Sequence, residues 1–202
     1  MPDEREAGLE DRDLALIEEA RNAPEGDLRA FEQLILQYQK RILADCRHMT
    51  RDEGMSEDLA QEVFVKAYFG LSRFEGRSSF RHWLQRIKVH HCLNYLKKQE
   101  GKLGVAIDEG AEEMHGELRV APTADRNLES MNQRLRISGV LDSMPATLRL
   151  PLIMRDMDEL SYEDIASALG IGLSAAKMRI KRAREEFRRR YEGAAVMVKG
   201  HG

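Results

Sequence analysis

Two stretches of this chain carry side chains whose types and spacing could do chemistry. Trp83, Arg86, His90, Asn94 and Lys97 follow one another at three- and four-residue spacing, which places them on one stripe of a helix. An indole stacks on bases, amides and imidazoles read base edges, and arginine or lysine neutralises phosphate. Near the other end, Ser174, Lys177, Met178, Lys181 and Arg182 crowd the start of a second helix. Lysine and arginine there match the acceptor edge of guanine, and serine suits a phosphate or a base. Both stretches point to nucleic acid. For the first stripe alone, a core tryptophan among solvated charges accounts for the spacing equally well. Enzyme chemistry has no comparable support, because the chain holds no phosphate loop, no nucleophile motif and no carboxylate pair in a recognisable setting. No cofactor is expected.

The elements that must position these groups are helices. On the helix carrying Trp83, Phe80, Leu84, Ile87, His91 and Tyr95 form the expected buried stripe. A loop over 72–77 leads back to a preceding helix in which Leu59, Val63, Phe64, Ala67, Tyr68 and Leu71 make an apolar face. Asp58, Gln61 and Glu62 then point elsewhere and leave an acidic face for a partner. Upstream, Leu14, Ile17 and Ala20 predict a short helix ending near Asn22, where Pro24 and Gly26 interrupt it. Asp27 is placed to cap a longer helix whose Phe31, Leu34, Ile35, Tyr38, Ile42, Leu43 and Cys46 recur with helical period to about Met49, and residues 51–54 close it.

Residues 100–126 hold many acids and few large apolar groups, so a linker without its own core is expected. Beyond it, Leu135 and Leu141 predict a helix ending around Ser143. Pro145 is placed as the first residue of the next, and Pro151 should bend or shorten that helix. Ser161 and Asp164 form a capping box ahead of Ile165, Ala166 and Leu169. A turn over 170–172 follows, and Ser174 is placed to cap a long helix running to about Tyr191. Small Ala166 at the helix crossing, glycine in the turn, and Ile171, Ala176 and Ile180 as anchors give the pattern of a helix-turn-helix. Arg188, Arg189 and Arg190 read as a solvated basic end that favours the helix dipole.

The expected fold is therefore all-α: two small helical domains joined by an acidic flexible linker, the second containing a helix-turn-helix. The expected divisions are a polar segment with a short helix over 1–26, a domain over 27–99, the linker over 100–130, a domain over 131–192 and a flexible tail over 193–202. Of the 202 residues 42% are hydrophobic, ordinary for a soluble protein, and the net charge of −3 hides an acidic middle joined to a basic end. No apolar run approaches the roughly 20 residues that span a bilayer, and the polar, acidic start lacks the features of a secretory signal, so a cytoplasmic protein without membrane insertion is expected. Two cysteines, Cys46 and Cys92, give no disulfide framework. A metal site built from Cys46, His48, His90, His91 and Cys92 is the other use for these residues, but adjacent residues 90–92 cannot all face one side of a helix, and no metal is expected.

The run Asp58-x-x-Gln61-Glu62-x-Phe64, the Phe74-x-Gly76 loop and the Phe80-x-x-Trp83-Leu84-x-x-Ile87 helix together resemble the second region of bacterial sigma factors of the extracytoplasmic-function group. The stretch from Ser161 to Arg184, with its Ser-Tyr-x-x-Ile-Ala helix and Arg179-Ile180-Lys181-Arg182-Ala183-Arg184, resembles the fourth region of the same family. The resemblance implies a sigma factor that binds core RNA polymerase, through the beta-prime clamp and the beta flap, and directs initiation at promoters. It implies polymerase contacts at Asp58, Gln61 and Glu62. It places Phe74, Trp83, Arg86, His90, Asn94 and Lys97 at the melted nontemplate strand of the minus-ten element. Lys177, Lys181 and Arg182 would read duplex DNA at the minus-thirty-five element, with Ser174 and Met178 beside them and Arg155 near the phosphates. An anti-sigma factor is the implied regulatory partner. Two departures bear on which bases are recognised: many members have asparagine where His90 stands, and a Gly-Thr-Val-like start replaces Ser174-Ala175-Ala176. The competing reading, a stand-alone helix-turn-helix regulator, leaves 56–98 and the acidic linker without a role.

Overall fold

The structure is a computed structural model describing the backbone of residues 4–103 and 126–199 and the side chains of 8–99 and 131–193. All regular structure among these residues is helical, and it groups into two compact units, Met1–Lys98 and Gln99–Gly202. The middle of the expected acidic linker, residues 104–125, lies outside the described residues.

In the first unit, α1 (Glu4–Asn22) packs on α2 (Arg29–Thr50), and α2 on α3 (Glu53–Gly70). A 3-10 turn, Leu71–Arg73, then leads towards α4 (Phe80–Leu103). The first helix is longer than expected and its buried face is turned. Asp13, Leu16 and Ile17 are inside, whereas Leu14 is 47% exposed. Asp13 tolerates burial because Gln37 Nε2 donates to its carboxylate at 2.6 Å and the Tyr38 hydroxyl donates to the other oxygen. Burial still pushes the Asp13 carboxyl above the usual carboxylate range, against the two donors. Arg21, at the far end of α1, donates to the Leu71 carbonyl from Nη2 at 2.7 Å and also to the Phe74 carbonyl, satisfying the end of the 3-10 turn.

Two helix boundaries shift from expectation. Leu28 is the cap residue of α2, and Asp27, one position outside, accepts the Arg29 N–H at 3.2 Å and pairs with its guanidinium at 2.7 Å. After α2 the chain turns on Arg51 alone, held in the left-handed region at φ 57°, and Asp52 already caps α3 by accepting the Met55 N–H at 3.1 Å. Gly54 thus lies inside α3 rather than in a closing loop.

The buried stripe of α4 is rotated from the expected one. Phe80 and Leu84 are buried as predicted, but the stripe continues through Gln85, Lys88, Val89, Cys92 and Leu93, while Ile87, His91 and Tyr95 are partly exposed. The reason is a polar pair in the core: Lys88 Nζ lies 2.9 Å from Asp45 Oδ2, with side-chain exposures of 0% and 1%. An apolar-only count cannot register a lysine at a core position.

The second unit holds α5 (Arg126–Ser143), α6 (Ala146–Leu152), a π turn (Ile153–Met157), α7 (Tyr162–Leu169) and α8 (Leu173–Lys199). Pro145 is the residue before α6, not its first, and its carbonyl accepts the N–H groups of Leu148 and Arg149. Pro151 has no N–H to give and crowds the preceding turn, and α6 ends one residue later in the π turn. The core gathers Leu141, Met144, Leu150, Ile153, Met154, Ile165 and Ile180. Helix α8 runs past Tyr191 into the expected tail as far as Lys199. Among the described residues no helix is long and apolar enough to cross a membrane.

Candidate nucleic-acid interface

Helix α4 presents the stripe read from the sequence. Arg86, His90, Asn94 and Lys97 are exposed and Trp83 is half-buried. Between this stripe and the end of α3 runs a groove of about 570 Å³ lined by Lys66, Gly70, Arg73, Trp83, Arg86, Ile87, His90, His91 and Asn94. Its wall combines three cations, one indole, two imidazoles and an amide, and its volume falls in the range that holds a small ligand or a nucleotide.

The indole is fixed by packing. Its ring centroid lies 5.2 Å from that of Phe74 and 5.6 Å from that of Phe80. Gly70 leaves it room: a Cβ there would meet Trp83 Cζ2 at 3.1 Å. Phe74, expected at the DNA, is only 5% exposed and spends its faces on Phe80 and Trp83. The ring that can meet a base in this conformation is therefore Trp83, with Phe74 behind it. The family resemblance implies both at the nucleic acid, and burial separates them.

On α3, Asp58, Gln61 and Glu62 are all exposed, and the same face continues to Val65 and Phe69, 53% and 75% exposed. Gln61 borders a second groove of about 300 Å³ shared with Leu43 and Phe64. Glu62 also turns to α4, where its Oε2 lies 2.8 Å from His91 Nε2. Burial lowers the His91 pKa, and the Glu62 carboxylate works against that.

The helix-turn-helix is built as its caps dictate. Ser161 accepts the Asp164 N–H at 3.0 Å, and its hydroxyl donates to the Asp164 carboxylate at 2.8 Å. At the other end of α7, Gly170 sits in the left-handed region at φ 67°. The Ile171 N–H reaches the Ala166 carbonyl at 3.0 Å and the Gly170 N–H the Ser167 carbonyl at 3.2 Å. Ala176, Ile180 and Ala183 bury one face of α8. Ser174, Lys177, Met178, Lys181 and Arg182 are exposed on the rest. Ser174 is not the cap: α8 begins at Leu173, the Gly172 carbonyl accepts the Ala176 N–H at 3.0 Å, and Ser174 rides in the first turn.

Several cations expected outside are tied within the unit. Arg155 lays its guanidinium over the Tyr162 ring, 4.6 Å from the centroid, and donates to the Leu160 carbonyl at 2.6 Å. The Lys177 ammonium lies 5.7 Å from the same ring. Arg184 pairs with Asp156 at 2.5 Å. In the basic end, Arg189 and Arg190 both pair with Glu186, whose carboxyl Arg189 above all holds down at about 2, and Arg190 also donates to the Ser143 carbonyl at 2.6 Å. Arg190 thus ties α8 to α5 instead of standing in solvent.

Cys46 and Cys92 face each other in the core with sulfurs 3.6 Å apart, while His90 is outside. Among the described residues no three or more His, Cys, Asp or Glu side chains converge as a metal site would need.

The model of sigma-70 region 2 matches residues 34–101 and that of sigma-70 region 4 matches residues 134–187. The RNA polymerase sigma-H factor of Pseudomonas aeruginosa is 33% identical over 181 residues, 87% of this chain and 92% of that protein. The ECF RNA polymerase sigma-E factor of Escherichia coli is 33% identical over 178 residues, 86% of this chain and 91% of that one. The chain belongs to the extracytoplasmic-function sigma factors of RNA polymerase. It directs the polymerase to promoters, and the stand-alone regulator finds no support.

Two solved structures share the fold of this sigma factor. One is CnrH in complex with the cytosolic domain of CnrY, at a TM-score of 0.53 and 20% identity, covering 95% of this chain and 99% of that one. The other is the sigma factor RpoE in complex with the anti-sigma factor NepR from Bartonella quintana, at 0.55 and 21%, covering 80% and 96%. The groove beside Trp83 lies within the region 2 match and the helix-turn-helix within the region 4 match. Lys66 and Arg73, neither expected at the site, complete the groove together with His91, which was expected in the buried stripe. Lys66 follows Glu62 by one helical turn and Arg73 precedes Phe74, so proximity to chosen residues was the available signal.

Proposed function

We propose that this sigma factor holds a base of the melted nontemplate minus-ten strand in the groove between α3 and α4. Trp83 stacks on the base, His90 and Asn94 read its edge, and Arg86, Lys97, Lys66 and Arg73 carry the phosphates. The groove is the observation that carries the reading, because it joins an immobilised indole to cations and edge-reading groups in one cavity. Extruding a base costs a few kcal/mol, which stacking and edge contacts offset. Phe74 acts by holding the indole. Asp58, Gln61 and Glu62 meet the beta-prime clamp of core polymerase, and the second unit meets the beta flap. Ser174, Lys177, Met178, Lys181 and Arg182 enter the major groove at the minus-thirty-five element, and Arg155 braces α7 beside the phosphates. An anti-sigma factor holds the protein inactive, a reading supported by the RpoE–NepR complex among structures of like fold. The work is done in the cytoplasm, at the nucleoid when active.

The test is promoter opening by holoenzyme carrying Trp83→Ala, followed by permanganate reactivity of the melted strand. Opening is expected to weaken by roughly 1–3 kcal/mol, the worth of one base–aromatic stack, while duplex binding is retained. Exposed Asn94→Ala is the companion variant, since it leaves the aromatic cluster intact. Normal opening by both would place the strand elsewhere.

A further inference from the structure

We propose that Cys46 and Cys92 form an oxidisable dithiol, which a hydroperoxide converts into an intramolecular disulfide that staples α2 to α4. Buried cysteine usually only fills space. Here two of them, one from each helix, are fully buried and face each other, with the Cys92 thiol donating to Cys46 Sγ at 3.6 Å. No disulfide joins them. The pairing is held by polar contacts on either side of it. Lys88 bonds Asp45 at 2.9 Å, and the Tyr95 hydroxyl donates to Asp52 at 2.6 Å. Asp45 adjoins Cys46, and Lys88 lies one helical turn before Cys92, so these contacts hold the register that brings the thiols together. Closing to a disulfide moves the sulfurs to about 2.0 Å, which takes side-chain rotation and a small approach of the helices.

The chemistry balances in two steps. The thiolate of one cysteine attacks an oxygen of the hydroperoxide. The O–O bond breaks, water or alcohol departs with a proton, and a sulfenic acid remains. The second thiol attacks that sulfur, the S–S bond forms, the S–O bond breaks, and water leaves with the remaining proton. Two thiols are oxidised and one hydroperoxide is reduced. Hydrogen peroxide is a small neutral molecule that needs only local opening of the helix pair to reach a buried sulfur. The cysteines are 46 positions apart in sequence, so the disulfide closes a long loop and removes freedom from the unfolded chain.

The full-length protein is treated with graded hydrogen peroxide and its thermal midpoint is measured; a portion is then unfolded in denaturant, its remaining thiols are alkylated, and mass and cross-linked peptides are read. The expected product is a monomer lighter by about 2 Da, with Cys46 and Cys92 joined and both thiols recovered on reduction. Its first unit melts higher than the reduced form by on the order of 5–10 °C. Cys46→Ala shows no such shift, but the wild-type mass stands as evidence without that variant. The proposal falls if both thiols stay alkylatable at a dose that converts exposed Met178 to sulfoxide, or if the products are sulfinic acid or intermolecular dimers. A disulfide that leaves the midpoint unchanged or lowers it overturns the staple.

Discussion

Lys88 places an ammonium in the core of the first unit, against Asp45, with Gln85 Nε2 a further 3.5 Å contact on the same carboxylate oxygen. Charges are costly to bury, so removing one partner leaves the other in a medium that solvates it poorly. Lys88→Met is expected to cost about 3–5 kcal/mol in urea unfolding, and adding Asp45→Leu should recover most of the loss. If the double variant were no more stable than the single one, the pair would not account for the lysine's position. His91 yields a pH effect. Burial lowers its folded pKa below its unfolded value of about 6.5, so its contribution to stability is fully present above that pH. The contribution is lost as pH falls from the unfolded value to the folded one. His91→Gln should flatten the stability profile in that window, and Glu62→Gln should lower the imidazole pKa further in an NMR titration. A rise on removing Glu62 would mean the carboxylate does not act on the ring.

At the scale of elements, α7 and α8 are set by their turn. Gly170 at φ 67° has nothing within 4 Å of the position of a Cβ, so Gly170→Ala meets no steric clash and suffers only the backbone penalty. The left-handed conformation costs an ordinary residue about 1–2 kcal/mol, and the second unit should lose that amount in thermal unfolding. No loss would mean the turn relaxes to a different geometry. Pro151 shows the complementary case, in which a missing donor ends α6 and introduces a π turn. That turn sets Arg155 over Tyr162, on the helix that supports α8. Gly70 works in the same way for α3, since the room it leaves admits the indole of α4.

For the molecule as a whole, the proposed recognition is divided between two units, and neither charge sum nor fold class alone locates it. The net charge of −3 argues against a general coat for nucleic acid, while exposed cations gather on α8 and beside α4. Holoenzyme with Lys177→Ala or Arg182→Ala is expected to bind promoter duplex more weakly by about 1–3 kcal/mol while random DNA is bound nearly as before. Equal losses on both DNAs, with a shallower salt dependence, would make these side chains phosphate contacts.

Helical period, caps and turn glycines are local signals. They were enough to read two helical units, the helix-turn-helix and the exposed stripe of Arg86, His90, Asn94 and Lys97 from the amino-acid order. The Asp58-Gln61-Glu62 face was legible for the same reason, since a helix surface is set by spacing. Burial depends on partners distant in sequence, and there the order was insufficient. Only packing against Phe80 and Trp83 put Phe74 inside, and only Asp45 allowed Lys88 to replace Ile87 as a core position of α4. Only tertiary contact brought Lys66 and Arg73 to the wall of the Trp83 groove and Cys46 to Cys92. Spacing along one helix fixes which side chains share a face, and which faces meet is decided by the free energy of burying them together.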